Sequence, residues 1–218
     1  MKPSTKHGIR APRLPRSLNA EMLTTLDDQA DYFAASISGG ELVKQAAAAV
    51  SFEQVLLRHM NFTGSRLPQL HLLDVQLDTC DLSGVDGEHA RLQRVAFNDC
   101  RLVGVLLLEA RCEDIVFHNC TLESAIFASA TLKAARFENC VLREAAFTEA
   151  DLTNAVFQRC DLTHADLRGS KLSGADFRGS IIDGVQAGAP ELKGAIIDPT
   201  QAVQVVNLLG LIVKEQDA

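Results

Sequence analysis

A large apolar residue returns every five positions through most of this chain. The series Leu132, Phe137, Leu142, Phe147, Leu152, Phe157, Leu162, Leu167, Leu172, Phe177 is unbroken, and looser members reach back to Phe52. A helix face would need spacings of three and four, and a flat strand would alternate with period two. Five fits neither. It fits a short extended stretch followed by a turn, with the central residue pointing inward. Two positions before each central residue stands a small one: Ala125, Ala130, Ala135, Cys140, Ala145, Ala150, Ala155, Cys160, Ala165, Ser170 and Ala175. Each stretch therefore gives the core one large and one small side chain.

A second period contains the first. Cys80, Cys100, Cys120, Cys140 and Cys160 recur every 20 residues, and so do Phe97, Phe117, Phe137, Phe157 and Phe177. A chain that repeats every five residues and again every 20 is a coil with four sides, a repeat architecture that has to be recognised before any element is assigned. Equivalent residues then stack about 4.8 Å apart, the spacing of paired strands. The frame extends back through Ala47, Leu42, Ile37 and Tyr32 and forward to Leu192 and Ile197. The prediction is an all-β solenoid over 30–199, about 8 turns of 20 residues and roughly 40 Å long. A hydrophobic content of 47% with no Trp and one Tyr suits a narrow thread of core rather than a globular interior.

Ala150-Asp151-Leu152-Thr153-Asn154, Ala165-Asp166-Leu167-Arg168-Gly169 and Ala175-Asp176-Phe177-Arg178-Gly179 match A-(D/N)-L-x-x. In these residues the chain resembles the pentapeptide-repeat proteins. The resemblance implies a right-handed quadrilateral β-helix. It also implies a candidate activity, because the best-known members are acidic rods that mimic duplex DNA toward type II topoisomerases, chiefly DNA gyrase, and can protect them from quinolones.

The frame has blemishes. Gly87 and Ala187 stand at central positions, Cys112 replaces a Leu, and Pro190 takes a small position. Irregular corners or a bulge are expected near 84–90 and 186–191. Gly169, Gly174, Gly179, Gly184, Gly188 and Gly194 are expected to mark corners with positive φ.

The ends divide from the coil. Residues 1–29 read as a basic, disordered tail with Lys2, Lys6, Arg10, Arg13 and Arg16, followed by a short helical lead-in over 19–29. Residues 200–218 read as a C-terminal helix and cap, started by Asp198-Pro199 and stopped at Gly210. Its apolar residues cover more than half its circumference. Val203, Val206 and Leu209 are therefore either buried by Leu211-Ile212-Val213 folding back or form a homodimer. The resemblance adds to the second reading, since some family members dimerise through C-terminal helices.

No catalytic or metal site is proposed, and no cofactor. Five of the six cysteines fall at inward small positions and Cys112 at a central one, so they read as buried hydrophobes in a reducing cytoplasm. His59, His71, His89, His118 and His164 fall at outward positions without a histidine stacked one turn away. No run of about 18 apolar residues is present to span a membrane.

What remains is the surface. Residues 50–199 carry 14 Lys and Arg against 21 Asp and Glu, matching the net charge of −7 of the whole chain. One side, centred on Leu67, Gly87, Leu107, Phe127, Phe147 and Leu167, holds a candidate acidic face of Asp86, Glu88, Glu109, Glu149 and Asp166 against Arg66 and Arg168. The same side stacks the outward apolar residues Leu106, Leu108 and Ile126, a candidate interaction patch. Either a partner or the N-terminal segment around Met22, Leu23 and Leu26 would cover it. The function expected is a non-catalytic interaction scaffold of unknown protein partner, with DNA mimicry toward gyrase as the alternative. Direct nucleic-acid and membrane binding are not expected.

Overall fold

The structure, a computed structural model, describes residues 8–208 and 210–212. Ten strands form one parallel sheet wound into a solenoid. They are β1 (Asn19–Glu21), β2 (Asp31–Phe33), β3 (Ala35–Ser38), β4 (Ser51–Glu53), β5 (Leu56–Arg58), β6 (His71–Asp78), β7 (Arg91–Asn98), β8 (Arg111–His118), β9 (Thr131–Glu138) and β10 (Val156–Gln158). Register is 20 residues throughout the coil, as in Val95↔Ile115 and Phe97↔Phe117. Single bridges such as Asp161↔Ile181 continue it where strands are too short to be named. About seven full turns result.

Four sides meet at four corners. The first side runs through Leu72, Leu92, Cys112 and Leu132, the second through Leu77, Phe97, Phe117 and Phe137. The third runs through Leu82, Leu102, Leu122 and Leu142, the fourth through Leu67, Gly87, Leu107, Phe127 and Phe147. All of these face inward and are buried. Phe97, Phe117, Phe137, Phe157 and Phe177 stack ring on ring at 4.7–4.9 Å. Phe127 and Phe147 form a second stack opposite and meet the first edge-on at 6.1–6.3 Å. Both geometries are favoured by the charge distribution of aromatic rings.

The corners explain the five-residue period. The residue two after each central one takes a left-handed conformation, for example His59 (φ 50°), Asn119 (φ 53°) and Glu144 (φ 56°). An L-residue loses roughly 1–2 kcal/mol there. In return its N–H donates to a carbonyl of the next coil, Asn119 to Glu138 at 2.9 Å and Glu144 to Thr163 at 3.0 Å. The Asp of the repeat has its own task. Asp151, Asp161, Asp166 and Asp176 each accept the N–H of the residue two ahead at 3.0–3.1 Å, closing the stretch on itself. Gly169, Gly174, Gly179, Gly184 and Gly194 do occupy positive-φ corners. Gly188 does not (φ −102°); it precedes helix α1 (Ala189–Leu192), which interrupts the coil near 186–191.

Near 84–90 the coil is regular, contrary to the expected bulge, because Leu107 from the turn above leans under Gly87. A Cβ added to Gly87 would stand 3.2 Å from Leu107 Cδ2. An apolar void of about 20 Å³ between Leu70, Leu92, Leu102 and Leu107 is all that the missing side chain leaves.

The N-terminal region departs most from expectation. Residues 1–7 lie outside the described residues. Residues 8–18 are not a free tail but an extended strap along the corner between the first and second sides. No helix forms over 19–29. Instead β1 pairs with β3, and Leu23 and Leu26 plug the open first coil, 7% and 5% exposed, while Met22 stays in solvent.

At the other end, Asp198 caps a turn of 3-10 helix (Pro199–Gln201) that leads into α2 (Ala202–Leu208). Gln201, 3% exposed, donates to the carbonyls of Phe177 at 2.8 Å and Ser180 at 2.6 Å. Glu191 and Asp198 accept the N–H groups of Gly169 (3.1 Å) and Gly179 (2.9 Å). Side chains thus satisfy the open strand edge that would otherwise invite further pairing.

Candidate interaction surfaces

The fourth side builds its outer surface from the residues flanking Leu107 and Phe127. Parallel bridges link Asp86↔Leu106, Leu106↔Ile126, Ile126↔Ala146 and Ala146↔Asp166, so these side chains form one column along the axis. Leu106, Ile126 and, one column over, Leu108 are half-buried by their neighbours. Leu23 and Leu26 do not cover them, being used at the first coil.

The candidate acidic residues share this side but are partly neutralised within it. Asp86 pairs with Arg66 at 3.3 Å and Asp166 with Arg168 at 2.5 Å. Hydrogen bonds from the Arg168 side chain, then from its N–H, hold the Asp166 carboxyl below the usual carboxylate range despite partial burial. Glu88 and Glu109 lie on either side of His89, each 3.5 Å from a ring nitrogen. Glu149 accepts from Ser129 at 3.2 Å and, among the described residues, has no cationic partner. Ion pairing recurs elsewhere, as in Arg143–Asp161 and Arg178–Asp176, both 2.6 Å. The rod is acidic in sum but mixed in detail.

Two features escaped the sequence reading. One is a groove of about 620 Å³ at the corner between the fourth and first sides, where His71, Arg91 and Arg111 are stacked by strand register and Asp31, His89 and Glu109 are among the other lining residues. The other is the set of exposed apolar residues Phe33 and Val43 at the first coil and Ile181 at the last, which join the already named Met22, Val203, Leu211 and Ile212, also exposed. Phe33 and Ile181 stand directly beside central positions, so the frame itself marks them as outward. In the candidate dimer helix Val203 is exposed and Val206 half-buried; Leu209 lies outside the described residues. Leu211 and Ile212 are exposed rather than folded back.

The cysteine ladder is internal. All six cysteines are free and buried. Each ladder Sγ lies against two main-chain carbonyls, Cys120 against those of Phe97 at 3.4 Å and His118 at 3.3 Å, and these accept from S–H and would repel a thiolate. Burial acts to raise every ladder thiol and pushes Cys112 up to about 12. Ser180 continues the column and donates to Phe157 O at 3.0 Å in the same way. Among the described residues, no group of three or more His, Cys, Asp or Glu is placed to hold a metal ion. None of their helices is long and apolar enough to cross a membrane.

Comparison with known proteins places this coil. Among solved structures, full-length QnrB1, a plasmid-mediated fluoroquinolone resistance protein, is 19% identical over 81% of this chain and 100% of its own, with a TM-score of 0.33. A pentapeptide repeat protein of the Arabidopsis thaliana thylakoid lumen is 20% identical over 51% of this chain and 74% of its own, with a TM-score of 0.42. HetL, involved in heterocyst differentiation regulation in the cyanobacterium Nostoc sp. strain PCC 7120, is 21% identical over 80% and 92%, with a TM-score of 0.27. No curated protein matches the chain. Residues 140–179 match the signature described as pentapeptide repeats, in eight copies, and residues 70–139 match that of a pentapeptide repeat region. With half its length matched without a break, the chain belongs to the pentapeptide repeat family.

Proposed function

We propose that the protein is a rigid, non-catalytic scaffold that binds another protein through the apolar centre of its fourth side. The observation that supports this is the column Leu106–Ile126–Ala146, flanked by Leu108 and bounded at both ends by ion-paired aspartates. Apolar centres within polar rims are how protein-binding surfaces are built. The stacked coil makes the column rigid, so little ordering accompanies docking. In the same reading a second copy docks at the last coil, where Val203, Leu211 and Ile212 are exposed.

A second reading is mimicry of duplex DNA toward DNA gyrase, the activity that the pentapeptide resemblance brings. Its support is the net charge of −7 together with Glu149. Arg66 and Arg168 take Asp86 and Asp166 away from it, so the apolar reading leads.

A gyrase supercoiling assay with this protein titrated in, at low and moderate salt, separates the two. Mimicry gives inhibition relieved by salt and lost when Asp86, Glu88 and Glu149 become Asn or Gln. The scaffold gives no inhibition, and a salt-tolerant partner lost on Leu106→Ser with Ile126→Ser. A partner recovered equally by wild type and by that double variant would sink the apolar assignment.

A further inference from the structure

Residues 8–18 lie on the corner between the first and second sides, where the left-handed corner residues are charged: Asp74, Arg94 and Asp114, each one turn apart. Arg94 grips Asp74 in a two-pronged pair, Nε to Oδ1 at 2.6 Å and Nη2 to Oδ2 at 2.7 Å. Asp74 also accepts the main-chain N–H of Arg13 at 2.9 Å. Asp114 is equally buried, 4% exposed, but all its side-chain hydrogen bonds among the described residues come from Arg10. The Arg10 N–H reaches Oδ1 at 3.2 Å, Nε reaches Oδ2 at 2.6 Å, and Nη2 adds Glu113 at 3.1 Å.

The spacing of these anchors is a match between two repeats. Asp74 and Asp114 are two coils apart, about 9.6 Å at the strand spacing. Arg10 and Arg13 are three residues apart, and three residues of polyproline-type chain rise about 9.3 Å. The strap has the composition for that conformation, with Pro12 and Pro15 fixing φ. Its burial largely follows the same period: Ile9, Pro12, Pro15 and Leu18 are half-buried, as is Leu14 between them, while Arg10, Arg13 and Arg16 are exposed. One turn of such a chain therefore meets one carboxylate for every two coils.

The strap is held on the outside. None of residues 8–18 is fully buried, and β6 to β9 pair in the 20-residue register on both sides of the corner beneath it. Lifting it leaves the ladder intact and exposes a corner whose four charged groups, Asp74, Arg94, Glu113 and Asp114, sum to two net negative charges, with Asp114 unpaired. A guanidinium fits it well, being planar, permanently charged and able to bond two oxygens at once.

The geometry points to a docking slot for an extended, proline-containing basic segment of a partner protein, occupied here in cis by residues 8–18 and open to exchange in trans. The slot is on a different side from the apolar column and stands without it.

The test is a fluorescently labelled peptide with the sequence of residues 8–18, titrated into the full-length chain at low salt. Wild type keeps its own strap seated, so the peptide binds Arg10→Ala at least tenfold more tightly than wild type. Adding Asp114→Asn to Arg10→Ala lowers that affinity at least tenfold, and so does replacing the first arginine of the peptide by alanine. The altered peptide needs no change in the protein, so the result does not depend on how the double variant folds. Absence of saturable binding to Arg10→Ala, or binding indifferent to both changes, overturns the proposal. A wild-type dimer that Asp114→Asn dissolves would give the slot to a second copy and also overturn it.

Discussion

Gln201 donates its carboxamide N–H to the main-chain oxygen of Phe177 at 2.8 Å, closing the last coil with a side chain. The same amide reaches Ser180 O, so one residue satisfies two buried acceptors. Gln201→Ala leaves the Ser180 oxygen without a partner among the described residues and the Phe177 oxygen with only the Ser180 N–H at 3.1 Å. Losing buried hydrogen-bond partners costs about 1–3 kcal/mol per group left unsatisfied. A lower melting temperature is expected, together with concentration-dependent light scattering as the open edge recruits other strands. Unchanged melting and scattering would show that the Gln201 side chain contributes nothing to closure.

Gly87→Ala should stabilise. Its φ lies outside the left-handed range, and the void beside it is apolar. Restricting the unfolded chain adds about 0.4–1 kcal/mol at compatible sites. The close neighbour is Leu107 Cδ2, the movable end of a side chain that can shift into the void. A fall in melting temperature would mean that Leu107 has no room to move.

The cysteine column separates size from polarity. Cys120→Leu overpacks a position whose neighbours one turn away are also occupied, and should cost about 1–3 kcal/mol. Cys120→Ser should cost much less, because Ser180 already performs the same donation to a carbonyl. In the folded protein a thiol reagent should modify none of the six, and all six should react on unfolding. Rapid reaction of a ladder cysteine under native conditions would place it outside the core.

Acid should weaken the fold in a defined window. At Asp74, burial alone would raise the pKa, but hydrogen bonds from Arg94 and from the Arg13 N–H outweigh it and hold the carboxyl low. Asp161 is held low in the same way, by Thr163 and Arg143 against burial. A carboxyl that is more acidic folded than unfolded contributes stability above its unfolded pKa, about 3.9, and loses it as pH falls through the folded value. Thermal melts should therefore be flat from pH 7 to about 5 and fall below about pH 4. Asp74→Asn should melt lower than wild type at pH 7 and lose less on acidification. A parallel drop in both proteins would exclude Asp74 from the effect.

The coil was legible because a period of five nested in 20 admits few structures, and from Val50 to Val185 every central and small residue of the frame is buried. The ends were not, for a physical reason: a cap obeys no repeat. Leu23 and Leu26 are spaced like a helix face but serve as a plug, and the backbone of Gly40 gives way to Met60 and to the Leu23 carbonyl, 2.7 Å from where a Cβ would stand. Residues 8–18 have the proline and arginine content of a free tail. What orders them is the pair of aspartates at positions 74 and 114, whose meaning appears only when the two coils between them are counted as distance. The frame also put Arg66 and Arg168 on the same side as the acids, and the structure pairs them with Asp86 and Asp166.

Because every coil rests on the one below with the same four-sided outline, length and azimuth are separate coordinates of this molecule. Inserting 20 residues between Asp114 and Gly169 would lengthen the rod by one storey and leave every feature on its own wall. Inserting five would instead turn everything above the insertion by a quarter revolution. Asp166 would leave the wall that carries Leu106 and Ile126, while the core beneath continued almost unchanged. The pentapeptide is thus a unit of rotation as well as of packing, and a family built from it can re-aim its surface without redesigning its interior.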